Sequence, residues 1–139
     1  MSSKNFVIKT EVSDLHAKTF GFSAQKTMYG GKLIAKGDTI FIFASENSGG
    51  PGLVARGVIT AAHASTKRPG VTRQTPRVSI TIQRTGIAKR RLGRSELKPF
   101  SSWDDERPES ELNFKFYRQA TDKIAGISDV AAAFLRRFF

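Results

Sequence analysis

The chain has 139 residues, 39% of them hydrophobic, with eleven phenylalanines, no cysteine and a net charge of +11. That length suits one domain, residues 1–139, burying roughly two-thirds of the surface its unfolded chain exposes. No apolar run nears the ~20 residues of a spanning helix, the missing cysteines exclude a disulfide framework, and MSSKNFVIKT has no apolar signal core, so the expected location is cytoplasmic.

Asn5–Lys9 is predicted as a short strand with Phe6 and Ile8 on one face. From Thr10 to Phe20 a polar turn leads into a helix, with Ser13 and Asp14 as N-cap residues and Leu15 and Ala17 following. His16 and His63 are too far apart in sequence to suggest a metal site. Phe20–Leu33 mixes aromatics with small polar residues and reads as a loop with one helical turn.

The stretch from Gly37 to Ala61 organises the rest. In Thr39–Ser45 both alternating faces are mostly apolar, which predicts a central strand covered on two sides. The turn Glu46–Gly52 holds Asn47, Ser48, three glycines and Pro51, and a return strand Leu53–Ala61 completes a hairpin. Gly57 in that strand marks a bulge or a close backbone approach.

Ala62–Pro76 is a basic excursion, followed by a half-buried strand Arg77–Gln83 with Val78, Ile80 and Ile82 inward. Ile87–Arg94 is the most basic run, and Ser95–Lys98 is one helical turn stopped by Pro99. Phe100–Glu111 carries the only tryptophan, Trp103, and five of the twelve acids. Leu112–Tyr117 alternates as a final strand, and Ser128 caps a closing helix to Phe139 with an apolar stripe of Val130, Ala131, Phe134, Leu135 and Phe138. The pattern predicts an α+β fold, a small mixed β-barrel of five to six strands flanked by short helices.

Between Lys67 and Lys98 ten basic residues face one acid, Glu96. Such a concentration attracts polyanions and points to nucleic acid as the partner. The candidate phosphate-binding residues are Lys67, Arg68, Arg73, Lys89, Arg90, Arg91 and Arg94, the plainer alternative being a solvated basic surface. Arg136 and Arg137 suit the C-terminal end of a helix dipole.

FVIKT followed by Asp14-Leu15-His16 resembles the opening of YTH domains, and IFIFASENSGGPGLVARG resembles their second landmark hairpin. The closing NFKFYRQATDKIAGIS is similar to EVE domains, relatives within the same PUA-like superfamily. The resemblance implies a PUA-like barrel that holds one unpaired or flipped base, typically modified, in an aromatic-walled pocket beside a basic surface. Carried over by position, it assigns the pocket to Lys9, Asp14, Phe22, Ser23, Ser45 and Asn47. The second cage tryptophan of the family has no counterpart in RTGIAKRR, so Trp103, with Tyr117 behind it, is the substitute. Each has a plainer role open to it: Phe22 as core, Asp14 as an N-cap, Lys9 as a strand-end charge.

No cofactor is implied. The competing class is an amidohydrolase like the ASCH domains of the same superfamily, which use lysine, threonine and acidic residues. Lys9-Thr10-Glu11 supplies those types, although consecutive strand residues converge only across a bulge. DNA and RNA are both open as the polymer.

Overall fold

The structure is a computed structural model describing residues 4–46, 49–64, 77–100, 102, 105–115 and 123–139. Its strands are β1 (Asn5–Thr10), β2 (Thr19–Met28), β3 (Thr39–Ala44), β4 (Gly52–Ala64), β5 (Arg77–Ile87) and β6 (Lys123–Gly126), and its helices are α1 (Arg94–Leu97), α2 (Pro108–Asn113) and α3 (Asp129–Arg136). The strands close into a barrel in the order β1-β3-β4-β5-β2-β6. β1 runs parallel to β3 and antiparallel to β6, and β6 closes the ring by running parallel to β2.

The two-residue period of β1 and β3 builds two cores at once. Phe6, Ile8, Ile40 and Ile42 turn into the barrel and meet Ile59, Ile80, Ile82 and Ile124. Val7, Phe41 and Phe43 turn outward and are covered by Leu97, Leu112, Ala132 and Leu135 from the three helices. Both faces of β3 are therefore buried, as its two-sided apolar pattern predicts. Each fully buried Phe or Ile contributes about 1.5–3 kcal/mol.

Gly57 fulfils both readings of a strand glycine. The β4–β5 register shifts between Arg56 and Gly57, and a Cβ at Gly57 would strike the Ile82 side chain and lie 2.5 Å from the Gln83 carbonyl. The space left by the missing side chain belongs to β5.

Three elements differ from the sequence expectation. No helix forms at residues 13–17, where the segment crosses the barrel end. Val12, Leu15 and Ala17 pack onto the interior core, Asp14 Oδ1 accepts the His16 N–H at 3.0 Å, and Arg84 donates to the His16 and Ala17 carbonyls at 2.7 and 3.1 Å. Groups a helix would pair internally are satisfied by β5. Most of the expected loop Phe20–Leu33 is strand β2, with a 3-10 turn at Gly31–Leu33. β2 bulges between Phe22 and Gln25, where Ala24 has φ 48°, and this breaks the alternation that announces a strand.

The expected strand from Leu112 begins instead as the end of α2. Pro108 at its first position, with Glu109 and Glu111 in the first turn, is the helix-start signal that outweighs the alternation of Leu112 and Phe114. Burial does not alternate either, since Leu112 and the adjacent Asn113 are both buried, and Asn113 Nδ2 donates to the Leu97 carbonyl at 2.7 Å, tying α2 to α1. The sixth strand is the short Lys123–Gly126. Ser128 does cap α3, accepting the Ala131 N–H at 3.1 Å, but Val130 of the expected apolar stripe is 59% exposed and Ala132 takes its place in the core.

Glu111 straps α2 to α3. Its Oε1 accepts the Ser128 hydroxyl at 2.5 Å, and Oε2 accepts the Ser128 N–H at 2.9 Å and the Lys115 ammonium at 3.0 Å. Partial burial pushes this carboxyl up, but the bonds from Ser128 and Lys115 outweigh it and hold it below the usual carboxylate range.

Candidate nucleic-acid interface

β1 and β3 end side by side, the last tie being Ser45 N–H to the Thr10 carbonyl at 2.8 Å. Beyond it the chains diverge: residues 11–15 cross the barrel end, and the turn after β3 folds back into β4. A cleft of about 210 Å³ opens between them, walled by Glu11, Val12, Ser13 and Leu15 on one side and Ser45, Gly49, Gly50 and Pro51 on the other. The second wall is rigidly set. Gly50 N–H donates to the Ser45 carbonyl at 2.8 Å, and a Cβ at Gly50 would lie 2.6 Å from the Ala44 carbonyl, so only glycine fits.

Ser45 itself is 1% exposed, and its hydroxyl has no hydrogen-bond partner. Leaving a buried polar group unpaired costs about 1–3 kcal/mol, and functional sites are where such costs are tolerated. The cleft also offers the Glu11 carboxylate and the Ser13 hydroxyl, against the apolar Val12, Leu15 and Pro51. Its volume is below the ~300–1,000 Å³ of drug-sized sites and suits one flat ring with polar groups at its edge.

The most basic run arrives at this same end. β5 finishes at Ile87, and the chain then passes the mouth: Leu53 N–H donates to the Leu92 carbonyl at 2.9 Å, and Glu46 Oε2 accepts the Arg94 N–H at 2.9 Å. Gly52, with φ 88°, leaves room for the Leu92–Gly93 backbone. Within the run the cations have different duties. Arg90 donates to the Arg137 carbonyl at 2.6 Å and lies 4.6 Å over the Phe138 ring, which makes it a tie to the C-terminal segment. Arg91 is exposed and makes a 3.4 Å surface pair with Glu96, worth little in water. Lys89 and Arg94 are exposed.

Of the residues assigned by position, the structure brings Ser45 to the cleft. Asp14 sits beside it, between Ser13 and Leu15, but its carboxylate is engaged by the His16 N–H. Lys9, 4% exposed, lies on the Val7 face of β1, which the helices cover. Phe22 packs half-buried on the interior core, its ring 6.1 Å from that of Phe20 and nearly parallel to it, and Ser23 is exposed in the β2 bulge, its carbonyl accepting Gln25 Nε2. Neither lines the cleft. Asn47, Trp103, Tyr117, Lys67, Arg68 and Arg73 lie outside the described residues.

Among the described basic residues of this stretch, Arg77 and the run Lys89–Arg94 lie at opposite ends of β5. The β4–β5 connection leaves from Ala64 and returns at Arg77, beside Lys26 near the end of β2, whereas Lys89–Arg94 follow the other end of β5. Eleven strand residues separate the two by roughly 35 Å. Position-by-position reading missed Glu11, Ser13, Leu15 and Pro51 as walls of the cleft; their signal is the divergence of two parallel strands, which appears only once β1 pairs with β3.

A larger hollow, about 440 Å³, opens at the opposite end between Lys4, Asn5, Tyr29, Leu33, Lys115 and Asp129. Several of its polar groups are already used: Asn5 bonds Asp129 at 3.1 Å and Arg136 at 3.2 Å, and Lys115 bonds Glu111 and the Gly126 carbonyl. The smaller cleft is the better candidate because its buried hydroxyl is unspent. Among the described residues no group of acidic and histidine side chains could hold a metal, and no helix is long and apolar enough to cross a membrane.

No protein-family model and no curated protein matches the chain. Solved structures do. Human THYN1 in complex with DNA containing 5-methylcytosine superposes with a TM-score of 0.68 at 17% identity, covering 95% of each chain. The DUF55 domain of human thymocyte nuclear protein 1 gives a TM-score of 0.65 at 16% identity over 94% of this chain and 95% of that one. A protein from Leishmania major gives 0.65 at 18% identity over 98% and 94%. The chain shares their fold, a closed six-stranded mixed β-barrel with short helices. With it the expected α+β class and strand number stand, while the choice between YTH and EVE type rests on the sequence resemblance.

Proposed function

We propose that this chain is an EVE-type reader that takes a single methylated base out of nucleic acid, with 5-methylcytosine in DNA as the first candidate. The observation that carries this reading is the buried, unpartnered Ser45 hydroxyl in a cleft bordered by the basic run Lys89–Arg94. In this reading the Ser45 and Ser13 hydroxyls and the Glu11 carboxylate meet the edge of the flipped base. Glu11 accepts from an exocyclic amine, as a carboxylate can only accept, and Leu15, Val12 and Pro51 meet the ring and its methyl group. Lys89, Arg91 and Arg94 take the flanking phosphates, which supply the sequence-independent part of the affinity. Unstacking the base costs a few kcal/mol, which the cleft contacts and an aromatic partner must offset; Trp103 is the proposed aromatic, with Tyr117 second.

The likeness to a structure holding methylated DNA supports this choice of ligand. The amidohydrolase reading is disfavoured because β1 pairs with β3 from Asn5 to Thr10 without a register shift, so Lys9 and Thr10 point to opposite faces.

The test is a binding screen of the purified protein against single- and double-stranded DNA and RNA carrying methylated or hydroxymethylated cytosine or methylated adenine, with unmodified controls and chemical analysis of the recovered oligonucleotides. A preference for one modified base, recovered intact, is expected. Equal, salt-sensitive binding to every oligonucleotide would leave only the basic surface, and recovery of a converted base would favour the enzyme. A folded Trp103→Ala variant should bind the preferred oligonucleotide more weakly by about 1–3 kcal/mol.

A further inference from the structure

We propose that Glu46 is the positioning residue that couples phosphate contact to base capture, an inference that rests on the reading of the cleft given above. Glu46 follows Ser45 directly and its backbone braces the cleft wall: its carbonyl accepts the N–H of the wall residue Gly49 at 3.1 Å while the Ser45 carbonyl accepts that of Gly50 at 2.8 Å. Its side chain leaves the wall and reaches the basic run, where Oε2 accepts the Arg94 N–H at 2.9 Å. The fit is tight, because a Cβ at Gly93 would stand 3.0 Å from Oε2 and 3.3 Å from Cδ of the same carboxylate. Gly93 in turn is held from the other side, its N–H donating to Glu96 Oε1 at 2.8 Å.

Among the described residues, Glu46 to Arg94 and Leu53 to Leu92 tie this segment to the run. The first passes through the side chain of the residue next to the unpartnered hydroxyl. A phosphate drawn to Arg91 or Arg94 pulls on a segment fixed to the cleft wall, and a base seated against Ser45 fixes the segment that presents those cations. Such a tie sets the distance between the base and its flanking phosphate, which gives discrimination more than raw affinity.

The experiment compares wild type, Glu46→Ala and Glu46→Gln by two readouts: the ratio of affinities for a methylated and an unmethylated oligonucleotide, and amide hydrogen exchange in the free protein. Glu46→Ala should lower the ratio about fivefold, the worth of one hydrogen bond. Affinity for the unmethylated oligonucleotide and its salt slope should stay as they are. Exchange at the Arg94 and Gly49 amides should speed up. Glu46→Gln, whose amide oxygen can still accept the Arg94 N–H, should restore ratio and exchange alike. An unchanged ratio in folded Glu46→Ala, or equal losses in both variants, overturns the proposal. Absence of any preference in the wild type overturns the reading of the cleft instead, and the Arg94 and Gly49 amides then decide the tie on their own.

Discussion

The two ends of this barrel carry hollows of unequal size and opposite chemistry. The larger, about 440 Å³, has Asn5, Asp129 and Lys115 in its wall bonded within the protein, while the smaller, about 210 Å³, has in its wall Ser45, whose buried hydroxyl has no partner. Between these two, volume would choose the first, and a third hollow of about 540 Å³ beside α2 and α3 is larger still. Hydrogen-bond bookkeeping chooses the second, because an unpaired buried group is a standing cost that a ligand can remove. The charges differ too: Glu111 and Lys115 at the far end pair at 3.0 Å and are largely buried, whereas at the cleft end Arg91 makes a more exposed pair with Glu96 at 3.4 Å and Lys89 is exposed. In the reading proposed above, one end holds the fold and the other meets a partner.

If that division is right, changes on the helix-covered side should cost stability and changes at the cleft should cost binding. The largest effect is expected for Leu112→Ala, which removes a fully buried side chain from the layer between barrel and helices. A loss of about 2–5 kcal/mol in chemical denaturation is the prediction. A loss below ~1 kcal/mol would mean that α2 is not part of the cooperative core.

Replacing Lys89, Arg91 and Arg94 together by Gln should leave the melting temperature near wild type. The slope of log affinity against log salt should become shallower by about 2 to 3 units, since each lost phosphate contact removes roughly 0.9. Arg90→Gln should do the reverse and lower stability with little effect on the slope, because Arg90 is bound to Arg137 and Phe138. Equal slopes for the two variants would erase the distinction drawn within the run.

The Glu111 strap has a pH signature. Its carboxyl sits below its unfolded value, so the stability it contributes is complete above the unfolded pKa of about 4.5 and is lost as pH falls through the depressed folded value. Thermal melts of wild type should show that loss on acidification. Glu111→Gln should already be weaker at pH 7, by about 1–2 kcal/mol, and should change less between pH 7 and pH 3. Identical pH profiles would remove Glu111 from the account.

Much of this fold was legible because its strands obey a simple period. The alternation of Phe6 and Ile8, of Val78, Ile80 and Ile82, and the two-sided apolar run of β3 each place a strand correctly. What stayed hidden depends on partners distant in sequence. The 13–17 segment carries helix-capping residues, yet it stops at a single turn, Ala17 N–H to the Asp14 carbonyl, because Arg84, some seventy positions away, satisfies the His16 and Ala17 carbonyls. β6 is four residues with a lysine and a glycine, too short for any period, and is a strand only because β1 and β2 flank it. Ser45, assigned by its place at the mouth of the hairpin, lines the cleft. Lys9 and Phe22, assigned the same way, stand away from that cleft, because a positional match says nothing of which face a side chain takes.

The smallest effect bears most directly on the central claim. Ser45→Ala removes an unsatisfied buried hydroxyl, so the folded protein should be as stable as wild type or slightly more so. Its affinity for an oligonucleotide carrying one 5-methylcytosine should nevertheless fall by about 0.5–1.5 kcal/mol, with affinity for the unmethylated control unchanged. The measurement is the ratio of the two dissociation constants at fixed salt, taken for wild type and Ser45→Ala side by side. A ratio that drops in the variant while stability holds is the predicted result. An unchanged ratio, or a variant that loses stability and binds both oligonucleotides equally less well, would contradict a base seated against Ser45.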